Sequence, residues 1–201
     1  MHMNEVMDFF EQSGPSIPVP SWDALGKGGV QGGVVLWQRN AAGVDVAYVT
    51  EQQTTMPTPD KPSEPLWFDD EKTKPRTQLV LLVQTDVRDF ADCSDSFNAR
   101  RKKIEEDGGE PMVDDGIRRM IVRGKDPSRD LISAIRKLGK QRVEAGMTVR
   151  QKLVGKKVLA SNFKQNVIEV TVLAATPETL AVAEAHRSAN APVVEEPDFD
   201  F

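Results

Sequence analysis

Two groups of side chains in this sequence have types and spacings suited to holding a polyanion. One is a run of cations: Arg118, Arg119, Arg123 and Lys125, then Arg150, Lys152, Lys156 and Lys157. Guanidinium and ammonium groups are natural partners of phosphate, and set along two strands they would track a sugar-phosphate backbone. The other group is aromatic: Trp37 (with Arg39 close by), Tyr48, Trp67 and Phe68. Every base has a π-face, so cations combined with aromatic platforms suit single-stranded nucleic acid held without sequence preference. Each cation alone is equally well explained as solvated surface, and Trp37 as core. Trp67 and Phe68 lie beside acids in a Pro-rich loop, where they either touch the ligand or pin the loop. The cations Arg136, Lys137, Lys140 and Arg142 are expected to face solvent from a helix.

Groups suited to catalysis are scarce. The histidines are His2 and His186, near the two ends, so no Ser/His/Asp set can be assembled from neighbouring sequence. No phosphate-cradling Gly-x-x-x-x-Gly-Lys-Ser/Thr motif occurs. The lone Cys93 excludes an internal disulfide and, with two histidines, argues against structural zinc. Asp69-Asp70-Glu71 and Asp114-Asp115 could hold Mg²⁺, but both sit beside turn-forming sequence where acids are ordinarily solvated. The chain therefore reads as a non-enzyme with no cofactor and no metal.

Charge distribution supports binding. The 201 residues carry a net charge of −5, unpromising for a partner of nucleic acid. Its segments differ sharply: −8 over residues 1–71, −2 over 72–115, +11 over 116–164 and −6 over 165–201. A block near +11 inside an acidic chain is the footprint of a polyanion-binding face. The last residues, Glu195, Glu196, Pro197, Asp198, Phe199, Asp200 and Phe201, place phenylalanines in an acidic tail where they add nothing to a core. Such a tail can compete with DNA for the basic groove or dock on a partner protein.

These residues need strands to carry them. Gly29 to Gln38 has strand character, Asn40 to Gly43 reads as a turn, and Val44, Val46 and Tyr48 alternate as a second strand. Residues 54–76, with five prolines, read as a long loop. Gln78 to Thr85 is apolar on both faces and so central. Residues 87–115 read as a charged mobile loop with room for one short helix. Ile117 to Arg123 alternates, with Arg118, Met120 and Val122 on one side. Ser128 is the expected N-cap of a helix carrying Leu131, Ile132, Ile135 and Leu138 and ending at Gly139. Met147–Val154 and Val167–Leu173 close the strand set, followed by an Ala-rich helix and a polar tail from about Ser188.

Five or six strands with one helix between the later ones favour a mainly β chain. The expected architecture is an OB-fold-like five- to six-stranded barrel with long loops and a disordered acidic C-terminal tail. The expected division is a flexible lead-in over 1–20, the binding domain over 21–175, and a short helix and tail over 176–201. No apolar run approaches the roughly 18 residues of a membrane span. Met1–Phe10 also lacks the basic start of a secretory signal, so the expected location is cytoplasmic.

Several words resemble the single-stranded DNA-binding proteins encoded by phages of actinobacteria. They are Gln52-Gln53-Thr54, Glu64-Pro65-Leu66-Trp67-Phe68-Asp69-Asp70, Gln78 with the strand ending Gln84-Thr85-Asp86, and Asp114-Asp115-Gly116-Ile117-Arg118-Arg119-Met120-Ile121-Val122-Arg123-Gly124. Gly14-Pro15-Ser16-Ile17 and Gly29-Val30-Gln31-Gly32-Gly33 belong with them. The acidic end is similar to the tip of bacterial single-stranded DNA-binding proteins, although it closes with Asp-Phe instead of Pro-Phe. The resemblance implies an oligonucleotide-binding barrel, sequence-tolerant binding and protection of single-stranded DNA, and a place in phage replication or recombination in the host cytoplasm. The implied partners are single-stranded DNA and replication or recombination proteins recruited through the tail. A homo-oligomer is compatible with this reading. The chain departs from the family in a longer loop at 87–115 and in lysine-rich Lys152–Lys157, where a Gly-rich polar strand pair is expected. The alternative is an adaptor without DNA affinity that acts through its tail.

Overall fold

A segment apolar on both faces needs neighbours on both edges and layers above and below it. The strand from Gln78 onward meets this condition as the hub of the sheet. The computed structural model describes residues 17–55, 63–88, 90–158 and 164–191. In chain order these form α1 (Trp22–Leu25), β1 (Val30–Val35), β2 (Gln38–Arg39), β3 (Asp45–Val46), β4 (Val49–Gln52), β5 (Thr77–Gln84), α2 (Asp95–Glu106), β6 (Ile117–Val122), α3 (Lys125–Lys137), β7 (Thr148–Val158), β8 (Lys164–Leu173) and α4 (Pro177–Ala189). The architecture is mainly β: a six-stranded antiparallel sheet with a small β2–β3 hairpin and a few helices.

Pairing along β5 sets the sheet order. β6 takes one edge, from Leu79↔Val122 to Gln84↔Ile117. β4 pairs with residues 77–80 and β1 with Gln84 and Val83, so these two strands share the opposite edge. β1 also pairs with β7, and β7 with β8, giving the order β6, β5, β1 with β4, β7, β8. β1 turns from β7 to β5 at a glycine pair. A Cβ on Gly32 would lie 2.1 Å from the Val149 carbonyl oxygen, and one on Gly33 2.0 Å from that of Gln84. Only glycine lets the three backbones meet this closely.

Register defines two faces. One row runs through Ile117, Gln84, Val34, Thr148 and Leu173 across five strands, and all five are at least partly exposed. The next row is Arg118, Val83 and Val35, all buried. The inner face continues through Met120, Leu81, Val122, Val149 and Val172 into one hydrophobic core. Among the described residues no ladder joins the edge strands β6 and β8, and one side chain crosses the sheet's interior from β7 to β6. Gln151, buried on β7, accepts from Gln31 Nε2 at 2.8 Å and donates to the Ile121 carbonyl at 3.4 Å. The outer edge of β6 is covered by Ile17–Val19, whose backbone bonds to Arg119 at both N–H and carbonyl.

Four features differ from the sequence expectations. α3 begins at Lys125 with Gly124 as its cap, not at Ser128. Pro127 fits there because first-turn N–H groups lack helical partners in any case. Residues 87–115 hold the 12-residue helix α2, capped by the Ser94 side chain. The described part of the 54–76 loop is a laddered finger, with bridges Thr54↔Pro65 and Trp67↔Pro75. Ile17, placed in the flexible lead-in, is buried. The acidic tail lies outside the described residues.

Candidate nucleic-acid interface

Because side chains alternate along a strand, the outer face can be read from the register. β6 contributes Arg119, β7 contributes Arg150 and Lys152, and β1 contributes Val30 and Gly32. Arg150 stands level with Gly32 on one side and Thr171 on the other; Lys152 stands level with Val30 and Glu169. At Gly32 this face has no side chain, which leaves a shallow strip of backbone beside Arg150.

The cations fall into three classes. Arg123, Lys125, Arg150, Lys152 and Lys164 are exposed and form no ion pair among the described residues. Arg39, Arg119, Lys156 and Lys157 are surface cations paired with Asp45, Glu51, Asp23 and Asp126. Surface pairs of this kind are weak and screened by salt, so they do not remove these cations from reach of a phosphate. Arg118 belongs to neither class. It is fully buried on the inner face, 2.7 Å from Asp114 Oδ2 and 3.3 Å from the Val87 carbonyl. Its charge is spent inside the fold, so Arg118 leaves the set of phosphate partners.

The two aspartates beside it are also committed. Asp114 accepts from the Gly116 N–H at 3.0 Å and Asp115 from the Ile117 N–H at 2.8 Å. The hydrogen bond from Arg118 holds the Asp114 carboxyl below its ordinary value, against the opposing effect of burial. Asp69 is tied to Thr73 and to the Lys74 N–H within its own turn. Among the described residues no group of three or more metal-binding side chains stands together.

The aromatics separate as clearly. Trp37 donates its indole N–H to Glu184 of α4 at 2.9 Å, and the Arg187 guanidinium lies 5.2 Å from its ring centroid. It pins the last helix and is not an open platform. Tyr48 is half-buried against the core. Trp67 is half-buried in the finger, with its carbonyl taking the Arg76 Nε–H at 2.8 Å. Phe68 is 70% exposed, with Arg76 5.3 Å from its centroid. Arg76 thus steadies a ring that still offers area for stacking.

Arg76 and Lys164 were missed by the sequence reading. Arg76 lies eight residues from Phe68 in a Pro-rich stretch, and only the finger's backbone ladder brings them together. Lys164 sits at the start of β8, in register with Val158 beyond the last lysine of β7. The outer part of β7, from Leu153 on, pairs within the named strands only with β8, so the arm carrying Lys156, Lys157 and Lys164 projects past β1. Among the described residues no helix is long and apolar enough to cross a membrane. Comparison with protein-family models, curated proteins and solved structures finds no match.

Proposed function

We propose that this chain binds and protects single-stranded DNA in a sequence-tolerant manner, without doing chemistry on it, through the outer face of an oligonucleotide-binding sheet. The observation that carries this is the outward face of β7, where Arg150 and Lys152 are exposed and free of ion pairs among the described residues. A flexible polyanion can follow such a track, and the open ring of Phe68 gives a base something to stack on. Duplex is a poorer fit because its bases are already stacked on each other.

Strand order supports the oligonucleotide-binding assignment. β1 and β4 share one edge of β5, so they count as one strand interrupted by the β2–β3 hairpin. Five strands then remain, with α3 between the third and fourth, as in that fold. The Phe68 finger becomes the connection between the first two strands, one that such folds use on oligonucleotides. The proposed setting is phage DNA replication or recombination, with the acidic tail recruiting partner proteins or competing with DNA.

Photocrosslinking tests the site. Oligonucleotides carrying 5-iododeoxyuridine should crosslink to peptides containing Trp67–Phe68 and the β7–β8 arm. Crosslinks confined to α4 or to the helix cations Arg136 and Lys137 would overturn the assignment.

A further inference from the structure

α4 leaves the end of β8 and lies across the end of the sheet, where Ala183 is buried in the core and Arg187 bonds Asp45 at 2.8 Å. Beside that contact is a cavity of about 280 Å³ between Trp37, the Asp45–Tyr48 segment and the Arg142–Ala145 segment. This is near the lower end of ligand pockets, roughly 300–1,000 Å³, and suits one aromatic side chain better than a nucleotide. Val46, Ala47, Val143 and Ala145 give it apolar walls, with Trp37 and Tyr48 as aromatic ones.

Its charged residues are unequal. Asp45 is held by Arg187 and Arg39, and Glu144 by Lys140 at 2.7 Å. Arg142 is exposed and has no ion-pair partner among the described residues. An apolar cavity with one free cation at its rim selects an aromatic side chain flanked by carboxylates.

We propose that this cavity is the docking site of the chain's own Asp198–Phe201 segment, with one phenylalanine in the cavity and a neighbouring aspartate on Arg142. Proximity favours this occupant over others. Ala191, where the described chain stops, is four residues beyond Arg187, which already touches the cavity's Asp45. The eight residues from Ala191 to Phe199 span up to about 26 Å when extended, so the segment reaches the cavity with slack. Its acids, Glu195, Glu196, Asp198 and Asp200, match the one unpaired cation. Docking there would hold the acidic segment at the end of the sheet, away from the β7–β8 cations. It goes beyond the DNA-binding proposal and concerns when the segment is free to compete or recruit.

Chymotrypsin cleavage after Phe199, read by mass spectrometry on the full chain without DNA, tests it. A docked segment is cut only from its open state, so the full chain should lose Asp200–Phe201 at least about tenfold more slowly than a free peptide of residues 190–201. Arg142→Glu should bring the rate close to that of the peptide, and adding Asp198→Lys and Asp200→Lys should restore protection. Unchanged thermal unfolding of Arg142→Glu, expected for an exposed residue, shows that the effect is not loss of fold. Cleavage of the wild-type chain at the peptide rate, or protection untouched by Arg142→Glu, would overturn the proposal. Protection that grows with protein concentration would also overturn it, because a second copy would then hold the segment. DNA affinity is measured separately, so failure here leaves the DNA-binding proposal standing.

Discussion

Asp114 and Arg118 form a buried pair, and removing the carboxylate separates a structural role for this motif from a ligand-binding one. In Asp114→Ala the guanidinium, fully buried, keeps among the described residues only the Val87 and Ile117 carbonyls at 3.3 Å. An uncompensated buried charge costs about 3–5 kcal/mol, a large share of the roughly 5–15 kcal/mol that holds a domain folded. With a urea slope of about 1–3 kcal/mol per molar, the midpoint should fall by at least about 1 M. Glu51→Ala, which breaks the partly exposed pair with Arg119, should cost only about 0–1 kcal/mol. The pair also sets an acid limit. The fold lowers the Asp114 pKa from its ordinary 3.8, so this stability is complete above that value and is lost as pH falls through the lower folded value. Urea unfolding followed by circular dichroism, at neutral pH and in acid, measures both effects. Equal losses for Asp114→Ala and Glu51→Ala would refute the placement of Arg118 in the core.

Arg150→Ala with Lys152→Ala removes two unpaired cations and should reduce the slope of log K against log salt by about 1.4 for a single strand, read by anisotropy of a labelled oligonucleotide. An unchanged slope would remove β7 from the binding face. Phe68→Ala should weaken single-strand binding by about 1–3 kcal/mol yet leave the melting temperature unchanged, because the ring is 70% exposed. Gly33→Ala drives a Cβ against the Gln84 carbonyl oxygen at 2.0 Å and should destabilise by about 2 kcal/mol or more in the same urea assay. A neutral Gly33→Ala would mean that β1 does not pass this close to β5.

Local patterns carried part of this structure in the sequence, and long-range contacts withheld the rest. The strand at 78–85 and the alternation at 117–123 are legible because apolar spacing expresses them directly. Which side of that alternation faces inward is not, since Ile117 and Ile121 are as apolar as Met120 and Val122. The choice is settled by Val83 and Leu81, the partners of Arg118 and Met120 across the ladder. The four successive cations Arg100–Lys103 read as a mobile loop with room for one short helix, so the extent of α2 is not legible from them. Its order comes from the Ser94 cap and from Arg101 lying 4.8 Å from the Phe90 ring centroid. Trp37 could not be assigned because its hydrogen-bond partner, Glu184, is 147 residues away. The basic block at 116–164 was legible as a whole but not by member: one arginine is interior, several cations are paired, and the unpaired ones include the outward face of β7.

The central claim is that this chain holds single-stranded DNA through charge and stacking. Titration of a labelled oligo-dT with the full chain, at low and at moderate salt, tests it most directly. The account predicts saturable binding that weakens steeply with salt, and weaker binding to duplex of the same length. No binding at low salt, or equal affinity for duplex and single strand, would contradict it.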